Sequence, residues 1–173
     1  MTPRLRKLAL TAHVVSSVGW LGAVAGFLAL AVAGWTSLDA RTVRAAYLAM
    51  ELTAWFVILP LALASLVTGL VQSLGTTWGL FRHYWVLFKL LMNVFATVVL
   101  LLYMRTLGDL ARMAEETTLS SDDLGALRSP SPVLHAGAAL LLLLVATVLA
   151  VFKPRGRTPY GRRKDERRTV LVP

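Results

Sequence analysis

Cysteine is absent from this 173-residue chain. That excludes disulfides, thiolate zinc sites, iron–sulfur clusters and thiol nucleophiles. Imidazole is scarce as well, so His13, His83 and His135 are the only strong nitrogen ligands for a metal or haem. Acid is limited to nine Asp and Glu against 18 Lys and Arg. There is no phosphate-cradling glycine loop, no His-Glu zinc motif and no serine in a nucleophile-elbow setting. No catalytic residue and no resident metal site are therefore assigned, and the chain reads as a non-enzyme.

What the chain has is apolar length. Hydrophobic residues make up 57% of it and mean hydropathy is +0.66, well above an ordinary soluble domain. Four segments reach the roughly 20 mostly apolar residues that a membrane helix needs: about 8–35, 48–72, 84–104 and 133–152. Each is too long and continuous to be a strand. The expected fold is an all-α, polytopic membrane protein whose four transmembrane helices form a bundle in residues 1–152. A polar connection over 105–132 and a basic, disordered tail over 153–173 complete it. Leu107, Leu110, Ala111 and Ala114 recur at helical spacing, so the third helix is expected to run on past the bilayer. The first segment has a basic start and small residues near Gly34, as a signal peptide does. Its apolar run exceeds the 7–15 residues of a signal core, so it reads as a retained helix.

The net charge of +9 resembles a nucleic-acid footprint, but its placement says otherwise. Twelve basic residues fall on the N-terminus, the Ser73–His83 connection and the tail, opposed there by Asp165 and Glu166 alone. The remaining seven carboxylates belong to the other side. The positive-inside rule makes the basic side cytoplasmic, with both termini inside. The expected partners are the lipid bilayer and a second copy or another membrane protein, and no nucleic acid.

Polar groups at membrane depth are costly and mark function. On the first helix His13, Ser17 and Trp20 share a stripe, and Gly22-x-x-x-Gly26 has the spacing that permits close helix contact. On the second, Ser65, Thr68, Gly69 and Gln72 share a face, and Pro60 is expected to kink the helix. On the third, Trp85, Lys89 and Asn93 fall at i, i+4 and i+8. Thr68, Gln72, Lys89 and Asn93 are thus read as an intramembrane polar cluster, with Gln72 and His13 as candidate partners for Asn93. Lys89 can instead snorkel to the interface. His13 and His83 lie near one face and form a candidate cofactor-binding pair, whereas a hydrocarbon core about 30 Å thick separates them from His135.

These residues carry a resemblance. The run Thr68-Gly69-Leu70, Leu74-Gly75-Thr76, Trp78-Gly79-Leu80 and Tyr84-Trp85-Val86, with Lys89, resembles an uncharacterised family of four-helix integral membrane proteins, a domain of unknown function, over roughly Leu8–Met104. His13 followed by Trp20-Leu21-Gly22 resembles, more distantly, the opening helix of the copper-resistance protein D superfamily. The first resemblance implies architecture, and the second implies copper handling or haem ligation. The chain departs from a copper pattern because it lacks cysteine and clustered methionine, the soft ligands copper(I) prefers. Three functions follow as expectations: a small membrane component or accessory subunit, a b-type haem or metal redox module on His13 and His83, and a small transporter using Gln72, Lys89 and Asn93.

Overall fold

The computed structural model describes residues 2–75, 79–116, 121–154 and 156–163. Residues 76–78 of the glycine- and aromatic-rich run, 117–120 of the long connection, and 155 and 164–173 of the tail lie outside the described residues. The elements are α1 (Pro3–Thr36), α2 (Ala40–Thr53), a π-helical segment (Ala54–Ile58), α3 (Leu59–Gly75), α4 (Tyr84–Glu115), α5 (Ser121–Leu127) and α6 (Ser131–Phe152). Four helical stretches are long and apolar enough to cross a membrane: Pro3–Thr36, Ala40–Gly75, Tyr84–Glu115 and Asp123–Phe152. The protein is all-helical, of a kind compatible with a multi-pass membrane protein.

Local chemistry sets the helix starts. Pro3 opens α1, and the Thr2 hydroxyl accepts from the Leu5 amide at 3.4 Å, a cap for an otherwise orphaned donor. The second span begins well before its apolar run at Leu48. The Asp39 carboxylate accepts from the Arg41 and Thr42 amides at 3.3 and 3.1 Å and from the Thr42 hydroxyl at 2.7 Å. Those bonds, the Thr42 hydroxyl foremost, hold the Asp39 carboxyl below its ordinary pKa.

Pro60 acts one turn upstream of itself. It has no N–H for the Phe56 carbonyl and its ring crowds that position. The helix widens there, and the Leu59 amide bonds five residues back to the Ala54 carbonyl. The result is a π-type turn, which bends the helix without ending it.

α1 packs against α2, α3 and α6, and α4 against the same three elements. The second span and α6 therefore each lie between α1 and α4. The core is tightest where α2, α4 and α5 meet. Val43, Tyr47, Met50, Leu107 and Leu127 are almost completely buried there, and the Tyr47 hydroxyl donates to the Leu127 carbonyl. Arg44 fastens the end of α4 to α2, its Nε donating to the Ala114 carbonyl at 2.8 Å and its Nη2 to the Glu116 carbonyl. The 105–132 connection thus holds the last turns of α4 and all of α5. Elsewhere large side chains face outward: Phe56, Leu102 and Phe152 are 75%, 69% and 76% exposed. Water would penalise so much open apolar surface, whereas lipid accepts it.

Gly22 and Gly26 do not serve helix contacts within the chain. A Cβ on either would meet nothing within 4 Å, so this small-residue face looks outward from α1.

The tail leaves α6 through Lys153, whose φ of 44° turns the chain back. Its basic composition led to an expectation of disorder, yet 156–163 are seated on the turn before α4. The Gly156 carbonyl accepts from the Tyr84 amide at 3.4 Å, and the Thr158 amide donates to the Arg82 carbonyl at 3.0 Å. His83 and Arg157 form an antiparallel bridge, and the Thr158 hydroxyl donates to the Phe81 carbonyl. The physical reason is that the first amide of α4 has no partner inside the helix and finds the Gly156 carbonyl, while Thr158 donates to the Arg82 and Phe81 carbonyls of the turn. At Gly161 contact is so close that a Cβ would lie 2.6 Å from the Arg82 carbonyl oxygen. Gly79, with φ of 63°, makes the turn itself, and the Arg82 amide closes it on the Gly79 carbonyl at 3.4 Å.

Candidate functional site: a polar cluster around His13

The contacts of His13 with α3, and of residues 156–163 with the start of α4, gather the start of α1, the described part of the tail and the α3–α4 turn at one end of the molecule. Near this end α1 and α3 approach through polar side chains. His13 Nδ1 lies 3.2 Å from the Ser65 carbonyl and 3.1 Å from Thr68 Oγ1. A carbonyl can only accept, so Nδ1 must carry the proton. Thr68 fits that assignment, because its own hydroxyl hydrogen is committed to the Ala64 carbonyl at 2.6 Å. Nε2 is left with its lone pair. A histidine anchored through one nitrogen on a carbonyl is the arrangement that readies the other for a ligand or a proton.

The ring is also held by packing. A Cβ on Gly69 would lie 3.2 Å from His13 Cε1, so glycine at 69 lets the imidazole lie against the α3 backbone. Ser17 and Ser65 share a 2.8 Å hydrogen bond one turn deeper, and the Ser16 hydroxyl donates to the His13 carbonyl at 3.1 Å. These contacts join α1 to α3 by side-chain hydrogen bonds, the glue expected where lipid gives no hydrophobic drive.

Of the four residues read from sequence as a cluster, Thr68 touches His13 directly. Lys89 on α4 is half-buried and within electrostatic reach of the imidazole. Gln72 Nε2 is buried with no hydrogen-bond partner among the described residues. The Asn93 backbone carbonyl accepts from the Thr97 hydroxyl at 2.8 Å, a bond within α4 that does not reach the His13 cluster. His13 therefore pairs with Thr68 and Ser65, in place of the Asn93 partnership expected from depth alone. His83 sits at the residue before α4 in extended conformation, its ring 6.4 Å from that of Trp85. Its backbone belongs to the bridge with the tail.

Charge is one-sided here. Among the described residues every carboxylate belongs to the α1–α2 turn, α2, the far part of α4, or α5, toward the opposite end. No group of three or more His, Asp or Glu able to hold a metal exists among the described residues.

At the opposite end, His135 stacks on Tyr103 with ring centroids 4.1 Å apart and 19° between planes. His135 Nδ1 donates to the Ser131 carbonyl at 2.9 Å, which again leaves Nε2 as the acceptor. Sequence reasoning placed His135 at this end and missed its partner, since nothing in local spacing links residues 103 and 135. No protein-family model, no curated protein and no solved structure matches this chain.

Proposed function

We propose that the protein is a small membrane component, an accessory subunit whose four long helices form a bundle across the bilayer with both termini cytoplasmic. Its working part is the polar cluster around His13 at the cytoplasmic end. The observation that carries this reading is the fixed tautomer of His13. Nδ1–H is held between the Ser65 carbonyl and Thr68, Nε2 is an acceptor, and a half-buried Lys89 ammonium stands nearby. An acceptor at membrane depth, with Lys89 within electrostatic reach, suits a polar group brought by a partner or a second copy. The orientation is supported by the basic charge gathered at the end that holds the termini.

The test is purification in mild detergent after haem-replete expression. We expect co-elution with a membrane partner or a defined homo-oligomer, no Soret band and no stoichiometric metal. A reporter fused to the C-terminus should be active inside the cell, and activity only outside would overturn the orientation.

A second reading, a b-type haem module, is favoured by the same anchored histidine. In it His13 and His83 would hold the haem, which would supply one-electron chemistry. His13 fits a ligand's role, being oriented by a carbonyl on Nδ1. His83 lies outside the helix, in the turn that the tail covers. A Soret band that disappears in both His13→Ala and His83→Ala would establish this reading over the first.

A further inference from the structure

A cavity of about 140 Å³ lies between α1, the π-helical segment, α4 and α6, away from the His13 cluster. It occupies the space across which α1 and α4 face one another without packing. Its walls are thin because alanines line them: Ala54, Ala96, Ala136 and Ala139 come from three different spans. The π-type turn forced by Pro60 contributes Ala54 and Ile58 to the wall, and such turns recur at functional sites. A void of about 150 Å³ lined by apolar side chains is large enough to hold one benzene ring.

Three features say what would fill it. No charged side chain lines the cavity, so its occupant is neutral. Aromatic side chains surround it: Trp20, Phe27, Phe95, Tyr103 and His135 all contribute. They favour a flat ring through stacked and edge-to-face contacts. Finally, the lining carries under-used hydrogen-bond donors. Trp20 is 2% exposed and its indole N–H makes no hydrogen bond among the described residues, although buried indoles usually find an acceptor. The Tyr103 hydroxyl has Ser131 Oγ at 3.4 Å, beyond the roughly 2.5–3.0 Å of a good O–H···O bond. Along α4 the lining runs from Phe95 to Leu107, about 18 Å at 1.5 Å per residue. The enclosed volume takes the ring, and a chain attached to the ring would lie outside that volume.

We propose that this cavity binds a neutral, membrane-soluble ring compound bearing carbonyl oxygens, of the quinone class, with Trp20 and Tyr103 donating to its oxygens. A phospholipid acyl chain would use the apolar walls and leave both donors idle.

The experiment is equilibrium dialysis of the full chain in detergent micelles against a labelled benzoquinone carrying one isoprene unit, with empty micelles as blank. Saturable binding of one molecule per chain is expected. Ala138→Phe, which fills the cavity from its open side, should abolish it. Trp20→Phe and Tyr103→Phe should each weaken it about three- to tenfold, the loss of one hydrogen bond. Retention no greater than in empty micelles would overturn the proposal. So would binding that decane displaces and that neither Trp20→Phe nor Tyr103→Phe alters, which would show the cavity to be an acyl-chain site. Should Ala138→Phe fail to fold, Tyr103→Phe, which removes the hydroxyl and keeps the ring, decides the matter.

Discussion

At the end that holds the start of α1 and residues 156–163, hydroxyls and an imidazole meet between α1 and α3 with Lys89 of α4 within electrostatic reach, and 156–163 are seated on the turn before α4. At the other end α2, α4 and α5 pack around the buried Val43, Tyr47, Met50, Leu107 and Leu127, and Tyr103 and His135 line an apolar cavity. Hydrogen bonds between side chains, His13 with Thr68 and Ser17 with Ser65, join the first end, whereas a larger buried apolar core, fastened by Tyr47 and Arg44 to backbone carbonyls, holds the second. The contrast teaches how a chain with little polar material spends it. Hydroxyls and an imidazole align α1 and α3 at one depth, whereas α2 and α4 overhang far enough to make an apolar core of their own, to which Arg44 and Tyr47 add bonds to backbone carbonyls.

The contrast can be broken most severely at Gly161. Replacement by valine forces a Cβ into the Arg82 carbonyl and should detach 156–163. Hydrogen exchange at Thr158 and Tyr84 amides is expected to rise to that of an open chain, with α1–α3 protection unchanged. Unaltered exchange would show that the tail is not held by this contact. At the other end, Tyr47→Phe removes the donor to the Leu127 carbonyl and leaves a buried acceptor unmet. A loss of about 1–3 kcal/mol is expected, read as a lower unfolding midpoint in detergent.

Thr68→Val should cost less, about 0.6 kcal/mol, as is typical for a hydrogen bond between membrane helices. His13 keeps the Ser65 carbonyl, so nitrogen chemical shifts should still report a protonated Nδ1. A switch to the Nε2 tautomer would show that Thr68, and not Ser65, sets the ring. The start of α2 offers a pH test. Its cap lowers the Asp39 pKa in the folded state, so the stabilisation is present above the unfolded carboxyl's pKa and disappears as pH falls through the folded value. Protection of the Arg41 and Thr42 amides should fade on acidification, and Asp39→Asn, which still caps, should remove that dependence. The smallest effect belongs to Gly22→Leu. The side chain enters open space, so stability of the single chain should change by no more than about 0.5 kcal/mol. A large loss would place Gly22 in a contact the chain does not make by itself.

Much of the candidate site could be read from spacing. Ser65, Thr68, Gly69 and Gln72 share a helical face, and His13 lies at matching depth on an antiparallel neighbour. Periodicity gives depth and face, but it does not give the azimuth of one helix against another. That is why Asn93 seemed as good a partner for His13 as Thr68 is. The outward face of Gly22 and Gly26, the Tyr103–His135 stack and the seating of the tail depend on the same unread rotation and on contacts between residues far apart in sequence.

The sequence by itself determined that four apolar helices exist, where Pro60 would deform one, and how charge divides between the two ends. Those follow from local geometry and from the cost of burying polar groups in hydrocarbon. Tertiary structure alone decided which nitrogen of His13 is tied down and that alanines on three spans meet around a cavity. It also decided that the basic tail returns to satisfy the Tyr84 amide at the start of α4. Each of these depends on how separate helices are turned toward one another, and lipid-facing and partner-facing apolar residues look alike in a sequence.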